Sequence, residues 1–386
     1  MLFSISLLVF LIWIVLFFAW GSFWRVWEFA SDPAQFPAPT VWPRVVAVVP
    51  ARNEAASIEA VVQALVSQEY AGEFSIVVVD DHSDDGTLEL ARRAAQQASA
   101  ATRVRVASAP PLESGWTGKL WALNAGVSES RNFAPDFFWF TDADVIHAPD
   151  TLRGLVSRAQ AGSLDLTSLM VLLRAETFAE RMLIPPFLYF FLMLYPPRWI
   201  ADRGAKTAGA AGGSILLRRT ALQRIAGLAA IRGEVIDDCA LARAVKKSGG
   251  RVWMGLTRAS RSLRSYQTFS EIRDMIARTA FTQLRYSAPQ LLGTFLGMTL
   301  TFLLPVALTL SANVRVWPFA LAAWCLMTAS FLPTVTFYRL HPIWAPLLPL
   351  AAIFYTYATL RSAARYWLGR GGQWKGRAQA QRKTPA

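Results

Sequence analysis

Carboxylates gather in this sequence at the ends of apolar runs, where a folded chain has least room to keep them apart. The run 45–49 leads into Pro50, Ala51, Arg52, Asn53 and Glu54, and the run 75–79 leads into Asp80, Asp81, His82, Ser83, Asp84 and Asp85. Four carboxylates in six positions repel one another unless something binds them. Capping of the next helix would use Ser83 or Asp85 and leave the others unexplained. Such side chains can accept hydrogen bonds from a ribose hydroxyl or a base N–H. A further apolar run ends in Asp142, Ala143 and Asp144, and residues two apart in an extended chain point the same way. With no His or Cys next to it in the sequence, this pair suits a hard cation, Mg²⁺ or Mn²⁺, which would also bridge a diphosphate. Asp237 and Asp238 open a helix. One of them satisfies the helix N-terminus, which leaves the other as a candidate general base.

Weaker candidates accompany these. Lys119 follows Gly115-Trp-Thr-Gly118 at a helix start and is placed to contact a phosphate, a solvated lysine being the plain alternative. Gly212 and Gly213 would let backbone approach a ligand, or would simply form a turn. Arg285 and Tyr286 precede an apolar segment, as an interfacial anchor or as partners for a phosphate and a lipid-borne acceptor.

These residues need a layered domain to hold them. Strand-like runs at 45–49, 75–79, 103–107, 137–141, 164–173, 214–218 and 251–256 alternate with helical stretches at 57–67, 87–99, 119–130, 150–161 and 237–248. Continuous apolar strands between helices predict an α/β domain over 42–260, with a Rossmann-like, mainly parallel sheet covered on both faces. Ligands of such sheets bind at the carboxyl ends of the strands, where the carboxylates lie. The Gly-Trp-Thr-Gly-Lys-Leu element has the wrong glycine spacing for a P-loop, and no Gly-x-Gly-x-x-Gly follows the first strand. P-loop NTPase and nicotinamide dehydrogenase chemistry are therefore disfavoured.

The rest of the 386 residues is apolar: 54% of the chain is hydrophobic against 17% charged. Residues 2–20 carry no charge and read as an uncleaved membrane anchor (1–24), followed by Arg25, which favours a cytoplasmic domain. Residues 182–200, broken by four prolines, read either as a segment lying on the membrane or as a buried helix. An amphipathic region, 261–287, precedes apolar segments near 288–310, 316–338 and 343–360, which give two or three spans, and a basic tail, 362–386. The net charge of +13 would ordinarily raise nucleic acid as a partner. After Asp274, however, there is no acidic residue and there are eleven Lys and Arg, so the excess belongs to the apolar end and reports membrane orientation instead. If the domain is cytoplasmic and all three segments cross, the tail lands outside, against the positive-inside tendency. The short last segment, with Pro346 and Pro349, then reads as re-entrant or interfacial, with a cytoplasmic tail. Cys239 and Cys325 stand in unrelated settings and support neither a disulfide nor a zinc site.

In order along the chain, Pro50–Glu54, Asp80–Thr87, Gly118-Lys119 with Ala122–Gly126, Asp142-Ala143-Asp144 and Asp237-Asp238 with Leu241 resemble the family 2 glycosyltransferases, whose catalytic domain has the GT-A fold. The resemblance runs from about residue 45 to 286. It implies that Pro50, Arg52, Asn53, Glu54, Asp81, Ser83, Lys119 and Asp142 line a nucleotide-sugar site. Asp81 would lie on the base or ribose, Asp144 with Asp142 on the metal, and Asp238 would be the base of an inverting displacement. Gly212, Gly213, Arg285 and Tyr286 would face the acceptor and phosphate side. The anchor, the Gly-Trp-Thr-Gly-Lys element and the C-terminal segments look more narrowly like the bacterial hopene-associated glycosyltransferases. That implies a UDP-sugar donor, a hopanoid or similar lipid acceptor, and a multi-pass protein of the inner membrane with its domain facing the cytoplasm. Polymerising members carry Gln-x-x-Arg-Trp, of which Thr282–Tyr286 keeps only the Arg and an aromatic, so processive polymer synthesis is the weaker reading. A catalytically silent scaffold is the remaining rival, with the intact aspartates against it.

Overall fold

A computed structural model describes residues 2–26, 36–97, 103–311 and 313–369, with backbone alone at 373–374 and 377–378. Eight strands form one sheet: β1 (Val45–Ala51), β2 (Phe74–Asp80), β3 (Val104–Ser108), β4 (Phe137–Thr141), β5 (Val145–His147), β6 (Leu166–Leu172), β7 (Ser214–Arg218) and β8 (Val252–Ser262). Their order is β3-β2-β1-β4-β7-β6-β8-β5. The helices of this region are α2 (Ile58–Val66), α3 (Thr87–Gln97), α4 (Gly118–Glu129), α5 (Thr151–Ala161), α6 (Phe178–Leu194), α7 (Pro197–Ala201), α8 (Arg219–Arg224), α9 (Asp237–Lys247) and α10 (Phe269–Gln283), with α1 (Leu2–Phe18) ahead of them.

The strands are apolar throughout because both faces of the sheet are covered. Val45, Ala47 and Val49 of β1 pack with α2 and α5, while Val46 and Val48 face α4. The second of these cores continues without a break into α6 and the C-terminal helices.

The sheet is mixed, which corrects the expectation of a mainly parallel one. β3, β2, β1 and β4 are parallel, but β7 runs antiparallel to both β4 and β6, and β5 antiparallel to β8. The cause is the detour after β6. The chain passes through α6 and α7 and re-enters the sheet at the carboxyl edge, where Ser214 pairs with Thr141, so β7 must run back. β5 is three residues long, too short to leave a period in the sequence. It pairs with the end of β8, a strand that extends six residues past the expected 256.

Residues 182–200 fall largely in α6, whose Leu183, Ile184, Leu188, Tyr189 and Leu192 are buried, so the buried-helix alternative describes its packing. Thr177 and Glu180 form a capping box at its start. Pro185 and Pro186 leave the backbone carbonyls of Arg181 and Met182 without their usual donors, and the adjacent carbonyl, Leu183 O, accepts from Tyr355 Oη at 2.8 Å. Tyr189 bonds Ser330 at 2.7 Å.

At the apolar end, α11 (Ala288–Met298) passes through a widened turn at 299–303 into α12 (Leu304–Leu310), followed by α13 (Trp317–Phe337) and, after a 3-10 turn at 342–347, α14 (Leu348–Trp367). Three helices, Ala288–Leu310, Trp317–Phe337 and Pro342–Trp367, are long and apolar enough to cross a membrane, with mean hydropathies of 2.0, 1.5 and 1.4. The expected N-terminal anchor is the apolar helix α1, which at 17 residues is shorter than these. It packs on the others through Trp13, which donates to Thr301 O at 2.7 Å. Of the basic tail, 362–369 continue α14 and its end; Arg370, Lys375, Arg382 and Lys383 lie outside the described residues.

Gly126 sets the distance between α4 and the sheet. A Cβ there would stand 2.3 Å from Val48 Cγ1 and 3.2 Å from Val79 Cγ2. Gly126→Ala gains about 1 kcal/mol of helix propensity, but overpacking against a branched side chain costs about 1–3 kcal/mol. The variant is therefore expected to have a lower thermal unfolding midpoint in detergent; an unchanged or higher midpoint would show that α4 can move away freely.

Candidate active site

The carboxyl edge of the sheet opens on a solvent-accessible cleft of about 260 Å³. Its floor is where four chain segments end or begin. β1 delivers Pro50 and Glu54, the turn after β4 delivers Asp142 and Asp144, the entry to β7 delivers Gly212 and Gly213, and the first turn of α9 delivers Asp237 and Asp238. Six carboxylates line the cleft (Glu54, Asp142, Asp144, Glu234, Asp237 and Asp238) against three cations (Lys119, Arg264 and Arg278).

Lys119, at the start of α4, reaches Asp142 Oδ1 at 2.8 Å and Asp237 Oδ2 at 3.4 Å. Burial would lower its pKa, but Asp142, Asp237 and Asp238 together raise it, so it stays charged. Burial likewise works to raise the Asp142 carboxyl, and the Lys119 ammonium outweighs it and holds the group below the usual range. Arg264, just beyond β8, bridges Asp144 Oδ2 and Glu54 Oε1, each at 3.0 Å. That is not enough for Asp144, whose burial beside Asp142 pushes it up to about 6. Asp238 is likewise pushed up to about 6, by burial and then by Asp237. Its two oxygens accept from the backbone N–H of Gly212 at 2.9 Å and of Cys239 at 2.7 Å, which fixes the carboxylate in place. A Cβ on Gly212 would stand 3.2 Å from Lys119 Nζ and 3.5 Å from Asp238 Oδ2, so glycine leaves the space between those groups open.

The turn carrying Asp142 and Asp144 is braced from behind. Ser57 donates to Ala143 O at 2.8 Å, and Leu263 N to Asp144 O at 2.7 Å. Thr141 and Ser260 bond the two ring nitrogens of buried His147 at 2.7 and 2.8 Å. Burial keeps this imidazole neutral, with a pKa near 3.

The Asp80–Asp85 corner adjoins the cleft without lining it. Asn53 N bonds Ser83 at 3.0 Å, Ala55 N bonds Asp85 at 3.0 Å, and Asp84 N bonds Asn53 Oδ1 at 3.1 Å. Ser83 and Asp85 thus lace two loops together. Asn53 and His82 hold left-handed backbone (φ 50° and 54°) in these loops. Asp81 is fully buried behind Arg52, whose guanidinium lies 3.7 Å from its carboxylate and also bonds the Asp81 and His82 carbonyls. Asp80 Oδ1 is buried with no hydrogen-bond partner among the described residues, an open acceptor at this corner.

A family model for glycosyltransferase like family 2 matches residues 43–282, more than half of the chain. The chain belongs to that family. It is a glycosyltransferase, and the mixed sheet is that of the GT-A fold. The solved structure of the mannosyltransferase PcManGT from Pyrobaculum calidifontis, in complex with GDP-Man and Mn²⁺, superposes with a TM-score of 0.55 at 19% identity, covering 94% of this chain and 99% of that one. Two others match less closely. TarS from S. aureus, in complex with UDP-GlcNAc, has a TM-score of 0.40 at 15% identity, covering 85% and 92%. Glucosyl-3-phosphoglycerate synthase from Mycobacterium tuberculosis, with Mn²⁺, UDP-glucose and glycerol 3-phosphate, has 0.40 at 20%, covering 63% and 79%. No curated protein matches the sequence.

Of the residues the sequence singled out in this glycosyltransferase, Pro50, Glu54, Lys119, Asp142, Asp144, Gly212, Gly213, Asp237 and Asp238 meet in the cleft. Arg52, Asn53, Asp81 and Ser83 form the adjoining corner. Arg285 and Tyr286 do not line the cleft: Tyr286 stacks on Tyr366 at 4.3 Å, beside α14, and both residues hold left-handed backbone (φ 51° and 57°). Sequence reading passed over Arg264, Tyr266 and Arg278, which line the cleft from the segment after β8 and from α10. The available signal was electrostatic: a floor of that many carboxylates requires cations from some element, and of the three the sequence offered, Arg52, Lys119 and Arg285, Lys119 alone lines the cleft.

Lys119→Met removes the ammonium and leaves Asp142, Asp237 and Asp238 facing one another. Loss of the cation from this partly exposed cluster is expected to cost about 1–3 kcal/mol at pH 8. Carboxyls whose folded pKa is raised favour the folded state at low pH and lose that advantage as pH rises through the folded value. The deficit should therefore be small near pH 4, grow towards pH 6 and be complete above it. Denaturant unfolding from pH 4 to 8 checks this, and a pH-independent deficit would contradict it.

Proposed function

We propose that this chain is a membrane-bound, inverting glycosyltransferase that moves a sugar from a nucleotide-sugar donor to the hydroxyl of a lipid acceptor at the cytoplasmic face of the inner membrane. The observation that carries the reading is the make-up of one cleft. Its floor holds a fixed carboxylate of raised pKa, and one wall is made of Phe187 and Phe191 from α6 and Met275 from α10, helices whose other faces pack on the apolar C-terminal helices. A charged donor and an apolar acceptor can approach the same atoms from these two sides.

Asp238 is the base. Its carboxylate is held by two backbone N–H groups, and its raised pKa suits it to take a proton from an acceptor hydroxyl near neutral pH. Asp237 is occupied with Lys119. As the proton moves to Asp238, the acceptor oxygen attacks the anomeric carbon, and the bond to the diphosphate breaks on the opposite face, so the configuration inverts. Lys119 and Arg278 are the cleft cations that would meet the departing diphosphate.

Asp142 and Asp144 fit a hard divalent cation. Two oxygen ligands with excess negative charge and no closed cage of three His, Cys, Asp or Glu among the described residues are what Mg²⁺ or Mn²⁺ accepts when phosphates complete its shell. Bound there, such an ion would supply charge neutralisation on the leaving diphosphate. The bound GDP-Man and Mn²⁺ of the PcManGT structure support a nucleotide sugar and a divalent metal. The resemblance noted above favours a UDP-sugar and a hopanoid-type alcohol. Arg25 after α1, and Arg315 as the lone charge of 311–316, support a cytoplasmic domain.

Asp238→Asn is expected to lose about 10²–10⁴-fold in turnover while binding UDP or GDP as the wild type does; full turnover would remove Asp238 from the base role. Asp144→Ala should lose Mn²⁺-dependent nucleotide binding, read by calorimetry. Because the base must be ionised, kcat/KM should rise with pH through about 6 and then level, the rise being absent in Asp238→Asn residual activity. Mass spectrometry of lipids from cells with and without the chain tests the acceptor: one missing glycolipid is expected, and a ladder of polymer lengths would overturn the lipid reading.

A further inference from the structure

The three helices long enough to cross a bilayer pack differently. α12 and α13 are joined by the short segment 311–316 and lie against each other as a hairpin, so the start of α11 and the end of α13 are at one end of it. Both ends of α14 return to that end. Near its start, Leu348 and Ala351 share a small apolar cavity with Phe331 and Val335, in the last third of α13. Near its finish, Ala363 and Tyr366 cluster with Leu291, in the first turn of α11, and with Phe281. A helix crossing beside this hairpin would have its ends at opposite ends of it.

In between, α14 follows α10 of the catalytic region in the same direction. Phe354 lies against Phe269, Arg361 and Arg365 reach Asp274 at 4.0 and 2.9 Å, and Ser362 Oγ accepts from Phe281 N at 3.1 Å. One face of α14, with Ala351, Tyr355, Ala358 and Ser362, is buried by these contacts. The opposite face is an exposed apolar stripe at helical spacing: Leu350, Ile353, Tyr357, Leu360 and Trp367. It continues the exposed apolar surface of α11 and α13, which carries Leu292, Phe295 and Leu332. Charge divides the same way. The far end of the hairpin, 311–316, has only Arg315, while the near end has Arg339, Arg361 and Arg365, and the sequence beyond α14 carries five further Lys and Arg.

We propose that α14 does not cross the bilayer but lies along its surface on the catalytic side, with the apolar stripe in that leaflet and the basic tail beside anionic headgroups. A stripe opposite a protein-bound face, flanked by arginines, is the arrangement of a surface-lying helix. The inference rests on the reading that α11–α12 and α13 cross, not on the sugar-transfer reading.

The test uses the full chain with Cys325→Ala and one added cysteine at a time: Glu113→Cys in the catalytic domain, Val314→Cys in the hairpin loop, or Ala386→Cys in the tail. Each is exposed to a membrane-impermeant maleimide in intact spheroplasts and in inverted vesicles, buried Cys239 staying unreactive. The expected result is that Glu113→Cys and Ala386→Cys react together in inverted vesicles, and Val314→Cys in spheroplasts. Labelling of Ala386→Cys with Val314→Cys would overturn the proposal. Labelling of all three from one side would overturn it through its premise, leaving catalysis untouched. A fluorophore at Ile353→Cys or Leu360→Cys, quenched by lipids spin-labelled at set depths, gives a second reading. Equal depths are expected; a difference of about 10 Å, the rise of seven helical residues, would also overturn it.

Discussion

Mutual repulsion among carboxylates is the constraint around which the catalytic region is built. Two like charges 4 Å apart cost about 4 kcal/mol in a protein-like medium, and the cleft floor gathers several within reach of Lys119 and Arg264. No local segment could hold them together. They come from separate element ends, Glu54 after β1, Asp142 and Asp144 after β4, and Asp237 and Asp238 at the start of α9, and the hydrogen-bonded sheet supplies the rigidity that their charges oppose. The residue of that opposition is visible in the raised pKa values of Asp144 and Asp238, the two groups whose cations are most distant or already shared. A site left partly uncompensated is one that a cationic or proton-donating ligand stabilises, so the same repulsion that costs stability supplies affinity and basicity.

The reversed strand makes this gathering possible. Had β7 followed a right-handed crossover and run parallel, Gly212 and Gly213 would lie at the opposite edge, and Asp238 would have lost the Gly212 N–H that fixes it. The reversal depends on the detour through α6 and α7, which in turn depends on apolar partners beyond the catalytic region, since Tyr189 bonds Ser330 and meets Phe331 edge to face. The catalytic fold and the apolar C-terminal helices are thus one construction.

Most of the sheet was legible because burial on both faces turns strands into unbroken apolar runs: β4 and β7 were read at their observed limits. What was not legible depended on partners distant in sequence. The direction of β7 is set by where the chain re-enters the sheet, β5 exists only because β8 is there to pair with it, and α6 is buried only because α13 and α14 cover it. The site divides likewise. Carboxylates at strand ends announce themselves by repulsion, whereas Arg264 and Arg278 sit in ordinary basic stretches and matter only for what faces them. Arg285 and Tyr286 were credited for their position before an apolar segment, yet the backbone turns left-handed there and packs Tyr286 on Tyr366, away from the cleft.

Two helices carry the union of the two regions, and helical periodicity explains how. On α6, Phe187 and Phe191 are four residues apart and face the cleft, while Tyr189 and Phe190 fall on the other side, against Phe331, Phe302 and Tyr355. On α10, Met275 and Arg278 face the cleft, while Ala277 and Phe281 meet α14 through Ser362 and Tyr366. Each helix is therefore a shared wall one side chain thick on either face. Close-packed interiors transmit displacement instead of absorbing it, so a shift of α13 or α14 by a fraction of a side chain must alter the cleft's apolar wall. The apolar end consequently does more than pack beside the domain: on the proposed reading, it fixes the width of the entrance through which an acceptor would reach Asp238.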